Sequence, residues 1–302
     1  MSKILVTGAS GLLGTEFCKQ LKDSNNEVWA VDNHSRSNTI PPCDRWVKID
    51  LNCVNSIDLK LPKDFDYIYH YSAINGTINF YKYPNKVLQN NFVCDLNIFE
   101  YASTCKNLKK IVYASSSEVV ADDPAHPVPE NTDVFIKNIH NARWSYRLAK
   151  ITSENFLVNS NLPWVMLRYF NIYGENSKQG HFLGDQINKI KNGIFSIIGG
   201  DETRSFCHVS DAVYASIYAA NNVDKQLINI GNDREITIKQ AVEIIAKEMG
   251  HDNVEFEQLP SLPGSVGNRK PDITKLRNLI PGYNPISFEE GIRKILETNN
   301  FK

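Results

Sequence analysis

Tyr146 and Lys150 stand four residues apart in Tyr146-Arg147-Leu148-Ala149-Lys150, the spacing that puts two side chains on one face of a helix. A phenol near pKa 10 is a poor base at neutral pH, and a neighbouring ammonium with an oxidised nicotinamide stabilises its phenolate. Such a group can exchange a proton with a sugar hydroxyl while hydride moves to or from the nicotinamide. The spacing alone is common. It gains weight from Ser115-Ser116-Ser117, which closes the strand-like run at 110–114 and directs hydroxyls into the same crevice.

A second group of residues suits a dinucleotide. Thr7-Gly8-Ala9-Ser10-Gly11-Leu12-Leu13-Gly14 follows a strand-like run and opens a helix-like one, the context that a phosphate-binding turn requires. Gly8 permits the turn, Gly11 lets a pyrophosphate approach, and Gly14 lets helix and strand pack closely. The helix N-terminus, with Leu12 and Leu13 in its first turn, offers amides and partial positive charge to phosphates. Val31-Asp32 ends the next strand near the spacing at which a carboxylate meets the adenosine ribose. That carboxylate would repel a 2′-phosphate, so NAD is expected over NADP, with Asn33 beside it. Arg36 leaves two readings, a phosphate ligand or a solvated loop arginine. Asp50-Leu51 reads equally as an adenine flank or an ordinary turn.

These groups need a scaffold, and the hydrophobic periodicity supplies one. Short β-branched runs at 3–7, 27–32, 66–71, 110–114 and 163–169 alternate with amphipathic stretches at 12–22, 86–103 and 146–158. This βαβ rhythm predicts an α/β fold with a parallel sheet flanked by helices and a ligand crevice at the carboxyl ends of the strands. Beyond residue 173 the rhythm loosens, with helices expected near 239–249 and 288–298 around a Pro/Gly-rich stretch at 259–271.

Composition excludes several classes. The 33 Lys+Arg against 34 Asp+Glu leave a net charge of −1, without the basic excess of a nucleic-acid binder. No apolar run reaches the roughly 18 residues of a membrane span, and no leader-like segment precedes the first strand, so a cytoplasmic protein is expected. The six cysteines are scattered without a C-x-x-C pair and the seven histidines are dispersed. Buried, reduced thiols and no metal site are the expectation.

Together, the T-G-x-x-G-x-x-G turn, Asp32, the serines, Tyr146/Lys150 and Arg168-Tyr169-Phe170-Asn171-Ile172-Tyr173-Gly174 resemble the extended short-chain dehydrogenase/reductases, the NAD-dependent epimerases, dehydratases and decarboxylases of nucleotide sugars. The resemblance implies a Rossmann-like domain at 1–172, with part of 205–232 returning to it, and a smaller C-terminal nucleotide-sugar-binding lobe at 173–302. It also implies bound NAD, a nucleotide-sugar substrate and a homodimer built from two helices per subunit. The catalytic hydroxyl falls on Ser116, with Tyr146 as acid/base, Lys150 as its electrostatic partner and Ser117 beside the substrate. Asn171 matches a substrate contact and Arg204 a diphosphate ligand. His208 and Asp211 read as a turn and a helix cap. Tyr71, Ser72 and Ala73, in His70-Tyr71-Ser72-Ala73, depart from the family's usual His-x-Ala-Ala beside the cofactor, and Asn90-Asn91 sit where sugar or nicotinamide contacts are expected.

Within that family three reactions share a ketone at sugar C4. Dehydratases carry Asp-Glu after the catalytic hydroxyl, whereas this chain has Ser117-Glu118. The resemblance puts a UDP-sugar epimerase first. Ser-x-Ser-Glu, Arg143-Trp144-Ser145-Tyr146 and Arg269-Lys270-Pro271-Asp272-Ile273 resemble UDP-glucuronate decarboxylases instead. In that reading Glu118 is a second catalytic group and Arg269 engages the substrate carboxylate; otherwise Glu118 caps a turn and Arg269 lies on the surface. A non-catalytic NAD(P) sensor is a third reading, which the retention of Ser116, Tyr146 and Lys150 opposes.

Overall fold

The computed structural model describes residues 1–136, 138–175, 177, 181–261 and 265–298. Near-continuous apolar runs make strands that are buried on both faces. Strands β1 (Lys3–Thr7), β2 (Glu27–Asp32), β3 (Arg45–Lys48), β4 (Tyr67–His70), β5 (Lys110–Ser116) and β6 (Trp164–Tyr169) form a seven-stranded sheet with Gln226–Ile230. The order is β3-β2-β1-β4-β5-β6 and then Gln226–Ile230, with every neighbouring pair parallel. The chain leaves β1 toward one edge and returns at β4 to build the other. That reversal opens a crevice at the carboxyl ends of β1 and β4.

Helices cover both faces. Helix α1 (Leu12–Asp23) buries Phe17, Cys18 and Leu21 against one face, together with Val213 and Ala219 of the helix Val209–Asn222. The other face packs Ile98 and Phe99 of the helix Pro84–Thr104 and Leu157 of the helix Trp144–Val158. Each fully buried Val, Leu, Ile or Phe among these contributes about 1.5–3 kcal/mol. The fold is the expected Rossmann-like α/β class.

After β6 the chain serves two cores. Residues from Cys207 to Ile230 pack on the sheet, as do Ile273, Leu276 and Tyr283. Leu183, Ile187, Ile197, Val242, Ile245 and Ile292 form a separate core that brings together the helices Phe182–Lys191, Ile238–Glu248 and Phe288–Thr298. This second core faces the open ends of the strands across the cleft. Among the described residues no helix is long and apolar enough to cross a membrane. One expectation needs correction: Cys53 is exposed and Cys43 half-buried, whereas the other four cysteines are buried. All six are free thiols.

Candidate active site

At the end of β1 the glycines are required by close approach. Gly8 turns the chain at φ +64°, and a Cβ there would lie 2.6 Å from the Tyr71 carbonyl carbon. A Cβ on Gly14 would lie 2.2 Å from the Gly8 carbonyl oxygen. Gly11 is the N-cap of α1. The amides of Leu12, Leu13 and Gly14 therefore begin the helix without intrahelical acceptors and line the cleft. Asp32, at the tip of β2, accepts the amides of Ser10 at 3.2 Å and His34 at 2.7 Å. Asn33 is committed to a turn, its Oδ1 accepting the Ser35 amide.

The remaining residues expected around the cofactor line the same cleft, of about 1460 Å³. Asp50 makes the turn, accepting the Asn52 amide at 3.0 Å, and Leu51 is buried behind it. Asn52 in turn donates to Asn90 at 2.8 Å. Tyr71 lies between β4 and α1, stacked on Phe17 with its hydroxyl 2.7 Å from that of Tyr169, while Ser72 and Ala73 continue along the cleft wall. Asn91, the buried neighbour of Asn90, holds both polar groups of the Ile74 backbone, so its amide shapes this wall. Arg36 lies exposed on its loop, in keeping with the reading of a loop arginine. Its Nη2 lies 3.0 Å from His181 Nε2. Burial and the Arg36 charge lower the His181 pKa to about 4, so the imidazole is neutral and accepts this bond.

The three serines are separated by their partners. Ser115 hydrogen-bonds Glu154, which grips Arg168 through both oxygens. The Ser116 hydroxyl meets the Tyr146 phenol and accepts the Glu118 amide at 3.2 Å, capping the 3-10 turn Ser117–Val120. Ser117 is buried and lines the cleft. Tyr146 stacks on Phe80, and Lys150 Nζ lies 6.0 Å from the centre of its ring. Burial raises the Tyr146 pKa, and the Lys150 charge and the Ser116 hydrogen bond pull it down.

Directly beyond Ser116, guanidinium groups converge on Glu118. Arg143 holds both carboxylate oxygens, Arg147 lies 3.6 Å away, and Arg269 Nη2 is 2.9 Å from Oε1. Burial pushes Glu118 up, but Arg269 and Arg143 dominate and hold its carboxyl well below the usual range. The alternative of a surface Arg269 is thereby corrected. It is buried, its pKa is lowered by burial to about 10, and among the described residues its Nε has no hydrogen-bond partner. Glu118 itself stays ionised, which suits a fixed charge rather than a proton donor.

Arg204 and Asn171 also line the cleft. Arg204 donates to Glu202 at 2.7 Å and to the carbonyls of Thr203 and Gly267, so an anion would share it with these internal acceptors. Asn171, at φ +45°, has a buried side-chain nitrogen without a partner among the described residues, a donor free for a ligand in the cleft. His208 caps the helix Val209–Asn222 by accepting the Ser210 amide. Asp211 accepts the Ile286 amide, so both have structural partners. Among the described residues no His, Cys, Asp or Glu cluster could hold a metal.

Sequence reasoning left Arg143, Arg147 and Phe80 out of the site. Arg143 and Arg147 stand four residues apart and reach the same carboxylate. That spacing was a usable signal, but nothing in it names Glu118 as the target.

The model of the NAD dependent epimerase/dehydratase family matches residues 4–231, three quarters of the chain. The chain belongs to the NAD dependent epimerase/dehydratase family. It is 29% identical to a UDP-N-acetyl-alpha-D-glucosaminuronate decarboxylase of Bacillus cytotoxicus, over 98% of this chain and 97% of that one. It is also 29% identical to UDP-glucuronic acid decarboxylase 5 of Arabidopsis thaliana, over 96% of this chain and 87% of that one. A solved UDP-N-acetylglucosamine 4-epimerase from Methanobrevibacter ruminantium, in complex with UDP-N-acetylmuramic acid, superposes with a TM-score of 0.83 at 26% identity, over 98% and 97% of the two chains. As a member of this family the protein is an enzyme, and its cofactor is NAD. The cleft fits that cofactor: glycines whose Cβ atoms would collide with backbone border an open helix N-terminus and a carboxylate.

Proposed function

We propose that this enzyme decarboxylates a UDP-linked uronic acid through a ketone at sugar C4. The observation that carries the reading is the arginine cluster beside Ser116 and Tyr146. Arg269 lies in the cleft wall beside Glu118, and its buried Nε has no hydrogen-bond partner among the described residues, which leaves a guanidinium edge for an anionic sugar group. A neutral hexose offers that edge no carboxylate, and a buried donor left unpaired is costly.

Bound NAD supplies the acceptor, and later the donor, of the C4 hydrogen. The turn at Gly8–Gly14 and Asp32 would hold it, with Asp50, Leu51, Tyr71, Ser72, Ala73 and Asn90 lining the same cleft. Ser116 hydrogen-bonds the C4 oxygen and Tyr146, whose phenolate the Lys150 charge stabilises against the burial that raises its pKa, takes the hydroxyl proton. The C4 ketone then accepts the electron pair of the C5–carboxylate bond as carbon dioxide leaves. Arg269 orients that carboxylate, and Glu118 holds Arg269 in place. A proton from solvent delivered to C5 and reduction at C4, with Tyr146 returning its proton to the oxygen, close the cycle. Arg204 and Asn171 bind the nucleotide end, Ser117 the sugar. The sheet side of the cleft would hold NAD, and the sugar nucleotide would bind against the core built on residues 182–295.

Epimerisation at C4, which the sequence resemblance puts first, is the second reading. It is favoured by the likeness to the Methanobrevibacter epimerase. Incubation with UDP-glucuronate, UDP-N-acetylglucosaminuronate and UDP-glucose, followed by mass spectrometry, separates the two. Loss of carbon dioxide from a uronate supports decarboxylation; a product of unchanged mass and altered retention supports epimerisation. A cytoplasmic homodimer accompanies either reading. Leu88 and Phe156, each more than a third exposed on the helices Pro84–Thr104 and Trp144–Val158, would be covered in it, and light scattering tests the mass.

A further inference from the structure

A buried chain of polar groups leads from Lys150 into the sheet. Lys150 Nζ donates to the Tyr113 hydroxyl at 3.0 Å and lies 3.5 Å from Asp95 Oδ2. Tyr113 donates to the same Asp95 oxygen at 2.5 Å. The other oxygen, Oδ1, is 2.9 Å from His70 Nε2, and His70 Nδ1 is 2.7 Å from Thr7 Oγ1. An ionised Asp95 can only accept, so His70 donates Nε2–H to it, and the Nδ1 of a neutral imidazole then accepts the Thr7 hydroxyl proton. A neutral imidazole satisfies every bond.

Asp95 and His70 have no solvent-accessible side-chain surface. A carboxylate in such a place persists only if donors and an opposite charge surround it. Both of its oxygens are filled by donors from β4 and β5, and the nearby cation is Lys150. Burial pushes the Asp95 carboxyl up, but Lys150 and the His70 and Tyr113 bonds hold it below its ordinary range. The dependence runs the other way as well. Lys150 is itself buried, and an ammonium out of water without a counter-charge gives up its proton.

We propose that Asp95 is a positioning residue for the proton exchange at Tyr146: it keeps the Lys150 ammonium charged and fixed, with the Tyr113 hydroxyl bridging the two. The inference rests on the reading of Tyr146 as the proton-exchanging group and holds for decarboxylation and epimerisation alike. The titratable groups facing the pair are His70 on β4, Tyr113 on β5, Cys94 beside Asp95 and Tyr146 one turn before Lys150, with Asp50 and Glu118 at longer range. Lys150 acts on Tyr146 more strongly than Asp95 does, so loss of the ammonium outweighs relief from the carboxylate.

The test needs no substrate. The ionisation of Tyr146 is followed in the NAD-loaded protein by ultraviolet difference absorbance, subtracting the trace of Tyr146→Phe. In Asp95→Asn the midpoint should move up by about one pH unit, a tenfold change in the phenolate equilibrium. A midpoint that is unchanged or lower overturns the proposal, even if urea denaturation shows a less stable fold. Tyr113→Phe, which removes only the bridging hydroxyl from a packed ring, carries the test if Asp95→Asn does not fold: a smaller upward shift supports the bridge, and none overturns it. Because no product is measured, either result is independent of which sugar the enzyme turns over.

Discussion

Arg143 holds Glu118 by both oxygens, Nη2 2.6 Å from Oε1 and Nε 3.2 Å from Oε2, on the turn that follows Ser116 directly. The pair joins the start of the helix that carries Tyr146 to the end of the strand that carries Ser116. A charge cluster at this junction therefore sets the spacing of the two groups, besides making the local field.

Acid should release this clamp. Glu118 has a folded pKa below its unfolded value, so its contribution is fully present above about pH 4.5 and is lost as pH falls through the folded value. Breaking a buried pair from one side costs about 3–5 kcal/mol. Glu118→Gln should lower the urea midpoint at neutral pH and flatten the loss of stability toward acid. Superimposable pH–stability curves for the two proteins would show that the clamp contributes nothing.

Tyr146→Phe removes the proton-exchanging oxygen and keeps the ring that stacks on Phe80. Turnover should fall by about 10²-fold or more with NAD binding intact. Near-normal turnover would place the acid/base function elsewhere.

Arg269→Met should discriminate between anionic and neutral sugars. A hydrogen bond to a charged group is worth about 1.5–3 kcal/mol, so affinity for UDP-glucuronate should drop about tenfold or more while that for UDP-glucose changes little. Equal losses for both ligands, measured by calorimetry, would assign Arg269 to the diphosphate instead.

Asp32→Asn removes the charge at the tip of β2 while leaving an acceptor for the His34 amide. The preference for NAD over NADP should narrow in binding titrations. An unchanged ratio would argue against a ribose contact.

Gly14→Ala should abolish NAD binding or folding, because its methyl would lie 2.2 Å from backbone that cannot yield. A variant that binds NAD normally would mean that α1 can shift away from β1.

Local order was legible along the chain. The strands at 3–7 and 27–32 and the helix at 288–298 fall where periodicity puts them. The helices at 84–104 and 144–158 each begin two residues earlier than expected, since Pro84 fits a first turn and Trp144 is buried. The short edge strand β3 carries little apolar pattern, because half of its residues are exposed. The glycine turn, Asp32 and the Tyr146/Lys150 pair are short-range signals: each needs only a few residues in a row to define its geometry.

What sequence by itself determined was the α/β class, the dinucleotide turn and the tyrosine–lysine face of one helix, since these follow from periods and spacings within single elements. Tertiary structure alone decided that Ser115 serves Glu154 while Ser116 meets Tyr146, that Arg143 and Arg269 converge on Glu118, and that Asp95 stands behind Lys150. Those relationships join strands and helices far apart in the chain. Charges find one another there only once the sheet order and the crossing helices have been built, because a buried ion is tolerated where its partner already lies within reach.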